Sequence, residues 1–113
     1  MSPYIMPGLK NKIHNLKRIV QINDILTSVC IHFKVDFETI TKKGRNHKIV
    51  VMRMIICYLL RKHTALTLKE ISEQLYPAIT DHTTVIHGIR FVEGQLSLKS
   101  DNEIKSLMNE IYI

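Results

Sequence analysis

The sequence is poor in the residue types that several kinds of functional site require. It has 113 residues with no tryptophan, four glycines and two cysteines. The glycines form no Gly-x4-Gly-Lys-Ser/Thr segment, which excludes the phosphate-binding loop of P-loop nucleotide hydrolases. Cys30 and Cys57 each lie inside an apolar run, far from each other in sequence. We therefore expect reduced core thiols rather than a redox pair or zinc ligands.

Long apolar segments are missing as well. No stretch approaches the roughly 20 apolar residues with which an α-helix crosses a bilayer, so the sequence predicts no membrane partner. The first residues lack a basic segment followed by an apolar one, and no signal peptide is predicted. The 45% of apolar residues that are present suffice for the core of one domain.

Charge is distributed unevenly along the chain. The 16 basic and 10 acidic residues give a formal net charge of +6 at pH 7, yet acidic residues predominate from Glu93 onwards. Residues 42–62 contain no acidic side chain and seven cationic ones: Lys42, Lys43, Arg45, Lys48, Arg53, Arg61 and Lys62. Such asymmetry favours a face that binds a polyanion such as nucleic acid. The alternative is a solvated basic surface without a partner.

Apolar spacing predicts helices along most of the chain, and no segment alternates for long enough to form a strand. The predicted fold class is all-α, a small helical bundle. In its first half we expect a basic amphipathic helix over residues 10–20 and a helix from Asn23 to Phe33. A short helix Phe37–Thr41, capped by Asp36, should follow. An exposed loop over 42–48 then leads to a central helix over 49–62. In its second half we expect a helix opened by a Thr67-Leu-Lys-Glu70 capping box, a helix capped by Asp81 that runs to about Leu96, and a last helix opened by a Ser100-Asp-Asn-Glu103 capping box.

The helix after Thr67 and the longer helix after Asp81 match a helix-turn-helix pattern. The apolar side of the second helix faces the bundle and consists of Val85, Ile86, Ile89 and Val92. Its opposite side carries hydroxyls, an imidazole and a guanidinium: Thr83, His87 and Arg90, flanked by Thr84 and Phe91. Such groups reach base edges and phosphates from a helix in the major groove. At the helix tip, beside His82, the Asp81 carboxylate either caps the helix or accepts a hydrogen bond from a cytosine amino group.

The segment Asp81-His-Thr-Thr-Val-Ile-His87 resembles a signature of the bacterial replication initiator DnaA. In that family an Asp-His-Thr-Thr-Val-Leu-His stretch opens the recognition helix of the C-terminal DNA-binding domain (domain IV). The likeness covers about residues 20–112: Val35–Arg45 resembles the family's short helix and basic loop, Ile49–Thr64 its central helix, and Thr67–Ser72 its scaffold helix. It implies a Trp-repressor-like helix-turn-helix fold of the DnaA C-terminal type. We accordingly divide the chain into a leader and basic N-terminal helix (1–20) and a DNA-binding domain (21–113).

The resemblance also implies roles for individual residues. Asp81, His82 and Thr83 match family positions that read bases in the major groove, and His87 matches a contact with a thymine methyl group. Thr84 matches a phosphate contact, and Arg45 matches the basic-loop arginine that enters the minor groove, where A·T tracts are favoured. The complete predicted DNA-binding set is Arg45, Lys48, Arg53, Arg61, Asp81, His82, Thr83, Thr84, His87 and Arg90. Arg53 and Arg61 match cationic positions of the central helix that face the DNA backbone or a base.

The chain departs from the family pattern at several places. Tyr76-Pro-Ala-Ile-Thr80 replaces a shorter Gly-Gly-Arg link before the aspartate, and Met54 stands where glutamine is common. Family initiators carry an ATPase module before this domain, whereas this sequence has no phosphate-binding loop. The resemblance therefore implies a DNA-binding protein without ATPase activity. We expect a stand-alone protein rather than an excised fragment.

Neither a metal site nor catalysis is indicated. His82 and His87 project about 140° apart around their helix, with no cysteine or carboxylate partner at ligand spacing. The hydroxyl groups near His82 are explained by the DNA-reading role rather than by nucleophilic catalysis. We therefore predict no enzyme, no metal and no cofactor.

Two functions of different classes remain. The favoured one is sequence-specific binding of double-stranded DNA, similar to recognition of the DnaA box at a replication origin, by a monomer in the cytoplasm at the nucleoid. The alternative is a protein-interaction adaptor, or a transcriptional or replication regulator, that uses the same helical fold on a protein partner. That partner would be a replication initiator or another replication protein. The joint presence of Asp81, His82, Thr83, His87 and Arg45 favours DNA, because an adaptor has no use for a base-reading set.

Overall fold

A computed structural model describes residues 21–44 and 46–110 of the chain. Within these ranges the chain forms six helices and no strand, which confirms the predicted all-α class. The helices are α1 (residues 21–33), α2 (Phe37–Thr41), α3 (His47–His63), α4 (Leu68–Gln74), α5 (His82–Ser97) and α6 (Glu103–Glu110). The leader and basic helix predicted for residues 1–20 lie outside the described residues.

The central helix α3 supplies much of the core, as its nearly continuous apolar sequence predicts. Four of its side chains have no accessible surface: Met52, Ile55, Ile56 and Leu60. α5 packs along α3, α2 and α4 also contact α3, and α6 packs on α5. A Cβ placed on Gly88 would lie 3.3 Å from Met54 Cα, so α3 and α5 approach closely at this pair. This packing fixes one side of α5 against the core and leaves the other side open.

Local capping sets the ends of the helices that matter for the site. The capping box before α4 is confirmed: Glu70 N–H donates to Thr67 Oγ1 over 3.1 Å, and Thr67 N–H donates to Glu70 Oε1 over 3.0 Å. Asn46 caps α3 by accepting from the N–H of Lys48 over 2.9 Å. The exposed loop is therefore shorter than predicted, because His47 and Lys48 already belong to α3. We call residues 42–46 the basic loop.

Two predicted caps differ from the structure. Asp36 precedes α2 as expected, but its side chain makes no capping hydrogen bond. The capping box predicted from Ser100 to Glu103 is wrong, because Asn102 opens α6: its Oδ1 accepts from the N–H of Lys105 over 2.9 Å. The Asn102 amide also donates to the carbonyl of Gln95 over 2.8 Å. One asparagine thus joins the last turn of α5 to the first turn of α6.

Both cysteines are free thiols, as predicted. Cys57 is buried in α3, and burial raises its pKa to about 12. Cys30 is half-buried in α1, and its pKa is raised by desolvation and then by the negative charge of Asp36. Neither thiol is a ready nucleophile at neutral pH, since the thiolate is the reactive form.

Candidate nucleic-acid interface

The helix-turn-helix unit consists of α4, a connection over residues 75–81, and α5. Leu75 and Ile79 anchor the connection in the core, and the N–H of Ile79 donates to the Leu75 carbonyl over 3.1 Å. The N–H of Ala78 donates to the carbonyl of Thr41 over 3.0 Å, next to the basic loop. The longer connection noted in the sequence is therefore docked against the end of α2 rather than extended into solvent.

α5 divides into a buried and an exposed side, as its sequence predicts. Val85, Ile89 and Val92 are buried, and Ile86 is half-buried. The exposed side carries the residues predicted to contact DNA: His82, Thr83, Thr84, His87 and Arg90. Thr83, His87 and Arg90 lie together on the outer side of α5, and His82 and Thr84 flank them.

Asp81 stands at the N-terminal tip of α5 and caps it. Its Oδ1 accepts from the N–H of Thr84 over 2.9 Å and from the Thr84 hydroxyl over 3.3 Å. The hydrogen bond from the Thr84 N–H is the main cause that lowers the pKa of Asp81 below its usual value. A carboxylate offers about four acceptor positions, so capping still leaves capacity for a further donor. Both roles predicted for Asp81 are compatible with this geometry.

The structure brings the basic loop and α5 to the same cleft. A cavity of about 400 Å³ is lined by Lys43 and Gly44 from the loop and by Thr84 and Gly88 from α5. Thr80 of the connection lines it as well. Elements more than thirty residues apart in sequence thus flank one depression, with Lys43 of the loop on one edge and the first two turns of α5 on the other.

Arg53 is placed differently from the other predicted DNA contacts. Its side chain is only 7% exposed, whereas the sequence predicted a cation that faces DNA. The guanidinium points to the backbone of α2 and the basic loop, where Nε donates to the Ile40 carbonyl over 2.8 Å. Its Nη1 donates to the Gly44 carbonyl over 2.8 Å and its Nη2 to the Lys42 carbonyl over 2.5 Å. Burial lowers the pKa of Arg53, but a guanidinium remains charged at neutral pH.

The remaining predicted cations lie apart from one another. Lys48 is exposed in the first turn of α3, close in sequence to the basic loop. Arg61 is exposed in the last turn of the same helix, where its Nη1 donates to the Leu66 carbonyl over 3.1 Å. Arg45 lies outside the described residues. Lys43 and Thr80 were not among the predicted contacts, although the acid-free segment around Lys43 was a signal for it.

Two features are missing from the described part of the chain: a metal-ligand cluster and a membrane-spanning helix. No group of three or more histidine, cysteine or acidic side chains within it could hold a metal ion. Among the described helices, none combines the length and apolar character that a membrane span requires.

The chain is similar to bacterial DnaA proteins. A family model described as the bacterial dnaA protein helix-turn-helix matches residues 22–92. The chromosomal replication initiator protein DnaA of Thermomicrobium roseum is 42% identical over 73% of this chain and 17% of the relative. DnaA of Bacteroides thetaiotaomicron is 33% identical over 97% of this chain and 23% of the relative, and DnaA of Campylobacter jejuni subsp. doylei 32% identical over 93% and 24%. No solved structure matches.

The chain spans about a fifth of the length of these curated relatives. The family model nevertheless covers more than half of this chain, and it includes the basic loop, α4 and the first eleven residues of α5. With its all-α fold, capped α4 and exposed α5, the chain belongs to the family of bacterial DnaA C-terminal helix-turn-helix domains.

Proposed function

We propose that this chain binds double-stranded DNA sequence-specifically, in the manner of DnaA-box recognition at a replication origin. One observation carries the proposal: the polar side of α5 is exposed and ends at the cleft that the basic loop borders. With the N-terminus of α5 in the major groove, the basic loop on the other edge of the cleft would contact the adjacent phosphates. No nucleotide hydrolysis is part of this proposal.

The proposed contacts fall into two groups with different effects. Asp81, His82, Thr83 and His87 read base edges, because they occupy the tip and outer side of α5. The positioning contacts with phosphate come from exposed groups outside the core: Lys43, Lys48, Arg61, Thr84 and Arg90. The resemblance adds Arg45, which matches the family's minor-groove arginine. The first group sets sequence preference, and the second supplies affinity that falls with salt.

The test is a binding titration with a duplex that carries a DnaA-type box and a scrambled duplex of the same composition. We expect tighter binding to the box, and a log–log slope of affinity against salt of roughly −4 to −6, as about five or six phosphate contacts produce. Equal affinity for the two duplexes would contradict the specific function. Absence of binding to either would favour the adaptor role, in which the same helix side contacts a protein.

A further inference from the structure

The buried guanidinium of Arg53 has a role that direct DNA contact does not explain. It makes three hydrogen bonds, all to backbone carbonyls, and its side chain is 7% exposed. One acceptor, Ile40, lies in α2, and the other two, Lys42 and Gly44, lie in the basic loop. These bonds use three of the five N–H donors of the guanidinium, and its burial leaves little surface on which a phosphate could reach the other two.

The three acceptors extend from the end of α2 to the middle of the basic loop. Carbonyls at positions 40, 42 and 44 are held from one rigid helix, so the backbone between them cannot move without breaking a charge-assisted hydrogen bond. Two local hydrogen bonds lie at the ends of the loop: the Lys42 N–H donates to the Glu38 carbonyl at its start, and Asn46 caps α3 at its end. A Cβ added at Gly44 would meet no atom within 4 Å, so packing does not restrain the loop from that side.

We propose that Arg53 is a positioning residue that fixes the basic loop in the conformation that meets DNA. The proposal rests on the proposed function for its DNA readout, but its structural part stands alone. A loop held in advance loses less conformational entropy on binding, and its cations keep a fixed spacing from α5. Arg53 thereby acts on DNA through the basic loop rather than by touching a base or a phosphate.

The planar fork of the guanidinium distinguishes this role from a simple charge. A lysine at position 53 would keep the positive charge but could not present donors to carbonyls in three divergent directions with the same geometry. If Arg53 met phosphate directly, lysine would replace it well, because an ammonium is an effective phosphate partner. Arg53→Lys therefore separates positioning from charge, and Arg53→Met removes both.

The first measurement needs no DNA. The basic loop contains the trypsin sites Lys42, Lys43 and Arg45, and cleavage there reports how often the loop opens. We expect cleavage in the loop to rise at least about tenfold in Arg53→Lys and Arg53→Met, relative to cleavage after exposed Lys34 in the same chain. The control variant Lys99→Met, at an exposed position between α5 and α6, should leave loop cleavage unchanged.

The second measurement is affinity for a box duplex and for the same duplex with its flanking A·T pairs replaced by G·C. Both Arg53 variants should lose about tenfold or more on the first duplex and most of the preference between the two, and lysine should not rescue either loss. Lys99→Met should bind as the parent does. The expected combination is a loosened loop and a lost flank preference in a domain that still unfolds cooperatively.

Two results would overturn the proposal. One is an Arg53→Lys variant with parental loop cleavage and parental binding, since charge alone would then suffice. The other is an Arg53→Lys variant without cooperative unfolding, since the guanidinium would then hold the whole domain and not the loop. If the parent protein fails to bind either duplex, the proposed function is wrong, while loop cleavage still decides whether Arg53 positions the loop.

Discussion

Asp81 joins helix capping to the surface proposed for DNA. Its folded-state pKa is depressed, chiefly because the ionised carboxylate accepts from the Thr84 N–H. Ionisation is therefore favoured in the folded protein. The resulting contribution to stability is present above the pKa of the unfolded chain and is lost as pH falls through the lower folded pKa.

The lowered pKa of Asp81 predicts that the effect of Asp81→Asn on stability depends on pH. Asparagine keeps the cap but carries no ionisable group. As pH falls from about 6 to about 2, the parent should lose more free energy of unfolding than Asp81→Asn does, because only the parent has a carboxylate to protonate at this position. Urea unfolding at several pH values measures it. A difference that stays constant over this range would show that the carboxylate charge makes no contribution.

Gly88 and Gly94 form a matched pair within α5. A Cβ on Gly88 would lie 3.2 Å from Met54 Cγ and 3.3 Å from Met54 Cα, whereas one on Gly94 would meet no atom within 4 Å. Gly88→Ala gains about 1 kcal/mol of helix propensity but crowds the backbone of α3, and overpacking typically costs about 1–3 kcal/mol. We expect Gly88→Ala to lower the free energy of unfolding by up to about 2 kcal/mol, the difference between these two effects.

Gly94→Ala is the control for that substitution, because it brings the propensity gain without the clash. It should raise the free energy of unfolding by up to about 1 kcal/mol. Denaturant unfolding of both variants measures the contrast. A stabilised Gly88→Ala would mean that α3 and α5 are free to separate at Met54.

The placement of Arg53 shows what the sequence could not predict. α3 is apolar nearly all round, so its pattern gave no direction for the one charged residue in its middle. The carbonyls that accept from it belong to the backbone, and backbone groups carry no signature in a sequence. The helix was predictable from hydrophobicity, but the partners of its buried cation were not.

Helix ends were predictable where every contact is local. The Thr67–Glu70 capping box involves four consecutive residues, and the structure has both of its hydrogen bonds. The same pattern at Ser100–Glu103 was misleading, because Asn102 also bonds Gln95, seven residues earlier on α5. A non-local partner thus decided between two candidate caps that sequence spacing could not separate.

Asn102 should consequently matter and Ser100 should not. Asn102→Ala removes the α6 cap and the tie to α5, and we expect it to lower the free energy of unfolding by about 1 kcal/mol or more. Ser100→Ala keeps the backbone carbonyl that Lys105 uses, so a change within about 0.5 kcal/mol is expected. Thermal unfolding of the two variants measures which substitution costs more stability. A larger loss in Ser100→Ala would show that Ser100, and not Asn102, caps α6.

The whole domain places its elements so that separate parts of the sequence serve one surface. α3 carries the core, positions the basic loop through Arg53 and supports α5 at Gly88. The spacing of the apolar residues Val85, Ile86, Ile89 and Val92 predicted which side of α5 would be open, and the structure has that side exposed. The shared cleft between loop and helix was not predictable, because it depends on how the Tyr76–Thr80 connection docks on α2.

The central claim is that the outer side of α5 reads bases, and the most direct test replaces Thr83 and His87 together by alanine. On the box duplex the double variant should lose about 1–3 kcal/mol per base contact, while binding to a scrambled duplex at the same salt concentration barely changes. The matched control, Thr27→Ala with His63→Ala, removes the same side-chain types from exposed positions outside α5 and should bind both duplexes as the parent does. Equal losses on the two duplexes, or no loss on either, would contradict base reading by α5.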